Sequence, residues 1–248
     1  MKDLKKYNTS YKENFKSIWK NRFLWKGLNG NETFGTINIL RFLETVEFSE
    51  WKDIDSFYKW VIDSAAKYQV WCSGRKQLSV KESDSLRNHF IGALGEFFFV
   101  NALSFGRKFA INKTLYSFDD VSLISDVEDF GIDACCRLSF GNETENAVIQ
   151  IKFWNPFSKE KVSAELVLKA YSQGDLEDFI EPKIQKKPII ICWLGNEKSV
   201  SIYLKQYEKL YKKVLIIDKK ELQKNLDNLD NIFWSEKLPE TLKELISK

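Results

Sequence analysis

The stretch Ala147 to Trp154, AVIQIKFW, constrains this chain more than any other. Apolar and polar residues alternate along it, so an extended backbone sends Ile149 and Ile151 to one face and Gln150 with Lys152 to the other. An amide and a charged amine on the second face of an otherwise apolar strand need a reason, because burying an unpaired charge is expensive. A metal and a phosphate would supply one. A solvated edge face would also explain them.

The surroundings of that strand read as an α/β sheet. Gly131 to Phe140, GIDACCRLSF, is a second strand-like run. GNETEN joins the two, and a short polar loop with Gly and Asn predicts a β-hairpin. Pro188 to Leu194, PIIICWL, is a continuous apolar run of the kind found in strands buried on both faces. Val200 to Leu204 is expected at a sheet edge, and Val214 to Ile217 forms a further short strand. Helical spacing is expected over Ser83 to Leu103, Val162 to Ile180, Lys219 to Leu229 and Pro239 to Ile246. Ser83 is the expected N-cap of the first of these and Gly106 its terminator.

The N-terminal third differs. Five of the eight tryptophans lie before residue 82, among charged residues: Trp19, Trp25, Trp51, Trp60 and Trp71. Ser49 to Val70 carries apolar residues at spacings of three and four, and Ile37 to Val46 fits a shorter helix. Aromatics among lysines can stack on single-stranded nucleic acid, but at helical spacing they are first of all core. The expected organisation is a helical region over 1–82 and an α/β domain over 83–248.

Several chemistries are excluded or disfavoured. His89 is the sole histidine, so multi-histidine zinc sites are impossible and a Ser-His-Asp relay has one candidate. None of the four cysteines has CxxC spacing. Cys135 and Cys136 are adjacent and would point to opposite faces of a strand. Free thiols in a reducing cytoplasm fit them best. No signal peptide or membrane span is expected, which makes the expected location cytoplasmic. The net charge is +3, so charge alone does not announce a nucleic-acid binder.

The residues that could act together are Asp133 at the start of one strand, Gln150 and Lys152 on the next, and Glu96 in the preceding helix. Carboxylate and amide oxygens suit Mg²⁺, and the Ile151 carbonyl could add a third oxygen. Lys152 could orient water or stabilise a phosphorane. DFGID (Asp129 to Asp133) followed by VIQIK (Val148 to Lys152) resembles the PD-(D/E)xK endonuclease superfamily. The match is best to its D…QxK branch of Mrr-like restriction and bacterial defence nucleases. GALGE (Gly92 to Glu96) resembles the first core helix of that fold.

The resemblance implies a restriction-endonuclease-like core, a mixed central sheet flanked by helices. It also implies Mg²⁺-dependent cleavage of DNA, less often RNA, with Mn²⁺ as a substitute. Asp133 and Gln150 would be metal ligands with Ile151, Lys152 the catalytic lysine and Glu96 the helix carboxylate. Gln150 departs from the acid of the commoner motif and removes one negative charge. A non-cutting nucleic-acid-binding or scaffold subunit and an RNA-cleaving toxin therefore stay open. So do a homodimer and a partner ATPase or sensor. Region 1–82 would give DNA contacts, a dimer surface or a docking site.

Other groups have bland readings beside functional ones. Asp126, Glu128 and Asp129 form an acidic loop that a second metal could use. Lys159, Lys161, Lys183, Lys186, Lys187, Lys205, Lys209, Lys212 and Lys213 could meet phosphates or lie on an ordinary surface.

Overall fold

The expected hairpin forms as the middle of a larger sheet. The computed structural model describes residues 17–28, 37–48, 50–123, 133–153, 189–193, 214–227 and 231–247. Its strands are β1 (Lys108–Ile111), β2 (Thr114–Leu123), β3 (Ala134–Phe140), β4 (Glu143–Lys152), β5 (Ile189–Trp193) and β6 (Val214–Ile217). They lie side by side in chain order. β1 to β4 pair antiparallel, whereas β4, β5 and β6 pair parallel. The protein is thus mixed α/β. The expected helix over 162–180 and strand over 200–204 lie outside the described residues.

Phe140 pairs with Glu143, so Gly141 and Asn142 alone make the β3–β4 turn. Gly141 takes φ of 56°, which a residue without Cβ adopts freely. Within the run PIIICWL, Ile189–Trp193 forms β5, paired with β4 on one side and β6 on the other. β1 and β2 were not expected: their turn is Asn112–Lys113, with φ of 49° and 68°. At β1, the Asn225 amide holds both backbone groups of Ala110, accepting from its N–H at 2.7 Å and donating to its carbonyl at 3.2 Å. Asn225 lies on α4 (Lys219–Asp227). It takes the place of a further strand there.

The helices are α1 (Ile39–Leu43), α2 (Ile54–Ser73), α3 (Val80–Gly106), α4 and α5 (Leu238–Ile246), with a π-helical turn at Phe233–Lys237. Asp53 and Ser56 form a reciprocal capping box on α2. α3 starts earlier than expected, and Ser83 is not its cap. Ser79 and Glu82 cap it instead: the Glu82 carboxylate accepts from Ser79 N–H at 2.8 Å and Oγ at 2.7 Å. Ser83 lies inside the helix, where its Oγ and carbonyl accept from the Gln69 amide. α3 is long and apolar enough to cross a membrane by length and composition, and 56% of its apolar window is buried in protein.

The described residues fall into two compact units, one drawn from Met1–Phe97 and Asn231–Lys248, the other from Phe98–Asp230. The division falls within α3. The first unit has an aromatic core. Trp19 meets Phe97 edge-on at 5.2 Å, and Trp51 meets Phe57 and Trp60 at 4.9 Å each. The π-helical turn brings Trp234 to Phe57. Four of the five N-terminal tryptophans are buried; Trp71 is half-exposed, with the Arg75 guanidinium 3.6 Å from its ring centre.

In the second unit, one face of the sheet carries a buried apolar layer. Leu138, Ala134, Ala147, Ile149, Ile151, Ile190, Leu215 and Ile217 are all buried. Phe98 and Phe99 from the end of α3 pack on Phe153. The opposite face carries the polar residues Ser122, Gln150 and Lys152.

Candidate active site

β3 and β4 pair with Ala134 opposite Ile149 and Cys135 opposite Val148. Asp133 stands just before β3 and clamps onto β4. Its N–H donates to the Ile149 carbonyl at 3.0 Å, and its carboxylate accepts the Ile151 N–H at 2.5 Å. One residue therefore grips β4 on both sides of Gln150. Asp133 is 7% exposed.

Gln150 is 4% exposed, and Lys152 two residues on is half-buried. β4 is an interior strand, with Gln150 beside Ile191 and Lys152 beside Trp193 of β5. The solvated-edge explanation of this pair therefore fails. Ile149 and Ile151 face the apolar side as alternation requires. Lys152 ends β4 at the carboxyl end of a parallel pair, where open α/β sheets gather their ligands. Asp133, Gln150 and Lys152 thus come together on one sheet. Ile151 takes part through its N–H, which orients the Asp133 carboxylate.

Glu96 belongs to the first unit. Its carboxylate accepts from Arg22 Nε, and both side chains are 13% exposed. The two are 74 residues apart, and no local pattern in the sequence announces the pair. Glu96's membership of the constellation rests on the resemblance. His89 is half-buried on α3. Asp126, Glu128, Asp129 and the lysines from Lys159 to Lys213 lie outside the described residues.

Cys135 and Cys136 do face opposite ways. Cys136 is in the apolar layer, where burial holds its thiol well above the usual range. Cys135 is half-buried on the face of Val148 and Gln150, its Sγ 3.4 Å from Ser122 Oγ. Ser122, itself buried, was not anticipated as a neighbour of the site.

The donors gathered here are hard oxygens, a carboxylate and an amide, with backbone carbonyls beside them. That set fits Mg²⁺ or Mn²⁺ and does not suit a soft metal. Among the described residues no three His, Cys, Asp or Glu side chains gather, so a metal here would draw on the amide, the backbone and water. No family model matches the chain, and no curated protein or solved structure matches it.

Proposed function

We propose that this chain is a metal-dependent endonuclease that hydrolyses phosphodiester bonds in DNA, with a restriction-endonuclease-like core. The observation that carries the reading is the grip of Asp133 on β4 either side of a buried Gln150, with Lys152 next on the same face. A buried amide and a half-buried lysine side by side on one face of an interior strand are groups that a purely structural sheet would replace with apolar ones. The mixed sheet, turning from antiparallel to parallel pairing at β4, supports it further.

Asp133 and Gln150 would hold Mg²⁺ or Mn²⁺, with the Ile151 carbonyl as a third oxygen. The ion would supply charge neutralisation at phosphorus and a more acidic water. The Asp133 carboxylate is kept in place by the Ile151 N–H, so its position is set before substrate arrives. Lys152 brings a fixed positive charge to the reacting phosphate and orients the attacking water. Water adds to phosphorus, one P–O ester bond breaks, and the departing oxygen takes a proton. Glu96 joins this reading by resemblance only, as do restriction or anti-phage defence as the setting and region 1–82 as a DNA, dimer or partner surface.

A non-cutting nuclease-fold subunit is the second reading, favoured by the neutral Gln150. The purified chain should be incubated with plasmid, single-stranded DNA and RNA, each with Mg²⁺, Mn²⁺ or EDTA. Metal-dependent cleavage of DNA supports the proposal. Cleavage of RNA alone favours a toxin, and retention of nucleic acid without cleavage favours the binding subunit.

A further inference from the structure

β2 contains a device that alternation alone would not produce. Phe118 pairs with Leu138 and Asp119 with Arg137, but the next partners are Ser122 and Cys135. Asp120 and Val121 together therefore oppose Cys136, which makes a β-bulge. Asp120 takes φ of 55°, a left-handed conformation that Asp tolerates better than most residues. Its carboxylate meets the Arg137 guanidinium across the strands at 3.3 Å.

The bulge inverts the faces beyond it. In strict alternation Ser122 would share the face of Phe118, in the apolar layer. With one residue inserted, Val121 and Leu123 enter that layer and Ser122 moves to the other face. There it is 3% exposed, with Oγ 3.4 Å from the half-buried Cys135. Cys135 lies two residues from Asp133 and opposite Val148, which lies two residues from Gln150. Diagonal neighbours on one sheet face stand about 7–8 Å apart, the scale of a bound phosphate with its ion. Of the five buried polar residues described, three are Ser122, Asp133 and Gln150.

We infer that the Asp120–Val121 bulge builds the active site by delivering Ser122 to the substrate face, where Ser122 is a positioning residue acting through Cys135. Cys135 is the more accessible member of the pair and the diagonal neighbour of Gln150 across β3 and β4. Ser122 fixes the Cys135 side chain through the contact between Oγ and Sγ. The inference rests on the nuclease reading and assigns that site two residues the motif does not contain.

The test uses the full chain and two readouts. The first is alkylation of Cys135 by iodoacetamide, followed by peptide mass spectrometry, with and without a DNA duplex and Ca²⁺. Bound duplex should slow alkylation at Cys135. The second is steady-state cleavage by Ser122→Ala and Ser122→Thr. Loss of one net hydrogen bond predicts a kcat about five- to ten-fold lower for alanine, with KM unchanged. Threonine, which keeps the hydroxyl, should restore most of it, and the melting temperatures of both variants separate misfolding from mispositioning.

Suppose cleavage requires Lys152, yet Ser122→Ala cuts like the native chain and duplex leaves Cys135 alkylation unchanged. The inference then fails while the nuclease reading stands. Protection of Cys135 by bound duplex without cleavage keeps the face and removes the catalysis. A chain that neither binds nor cuts nucleic acid overturns both.

Discussion

Asp133→Ala is the natural knockout of this site, and the structure predicts that it will mislead. The carboxylate is buried and accepts the N–H of Ile151, near the end of an interior strand. Alanine removes the acceptor and leaves that N–H without its partner. A buried amide deprived of its partner costs about 1–3 kcal/mol. For a chain of this size each kcal/mol lowers the melting temperature by about 2–4 °C, so the variant should melt about 2–12 °C lower. Asp133→Asn keeps an oxygen for Ile151 and removes only the charge, so it should lose less than half as much. Melting should be followed by tryptophan fluorescence in EDTA, so that metal binding does not contribute, and cleavage measured separately with Mg²⁺. The expected pattern is two inactive variants of unequal stability. If alanine melts with the native chain, the brace between Asp133 and Ile151 is not formed and the geometric argument for the site collapses.

Three further outcomes follow from the same reasoning. The Ser79 hydroxyl and backbone N–H hold the Glu82 carboxyl below its ordinary pKa, so its stabilisation is complete above the unfolded value and is lost as pH falls through the folded one. The melting gap between the native chain and Glu82→Gln should hold from neutrality down to the ordinary carboxylate range and narrow as pH falls below it; a gap that widens in acid contradicts the cap. A Cβ at Gly106 would stand 2.2 Å from the ring of Phe109, itself packed on Phe118. Gly106→Ala should therefore destabilise by about 1–3 kcal/mol rather than gain helix stability, and a raised melting temperature would show that the ring yields. Asn225→Ala strips both backbone partners from Ala110, so exchange of the Ala110 amide should accelerate and stability fall by about 1–3 kcal/mol; unchanged exchange would mean another group covers that edge.

Much of the sheet was legible because its core obeys period two. AVIQIKFW gives faces directly, and PIIICWL has no polar residue to place outside. Depth was not legible: alternation puts Gln150 and Lys152 on one face but cannot say whether water reaches it. That depends on β5, whose parallel pairing with β4 is a long-range event. β1 and β2 were missed for local reasons. Their turn uses Asn112–Lys113 in place of the strong Asn-Gly signal, and the bulge at Asp120 interrupts the alternation that would reveal β2. The early start of α3 was written in the sequence, since Ser79 and Glu82 have capping-box spacing. Ser83, closer to the apolar stripe, obscured it. The Arg22–Glu96 pair had no local signal, because charge partners across 74 residues are chosen by tertiary packing.

Lys152 is half-buried and, among the described residues, makes no hydrogen bond that braces β4 as Asp133 does. Plasmid cleavage in Mg²⁺ by the native chain and by Lys152→Ala, at equal melting temperature, tests the nuclease reading most directly. The account predicts metal-dependent cleavage by the native chain and none by the variant. Undiminished cleavage by Lys152→Ala would place the chemistry elsewhere in the protein.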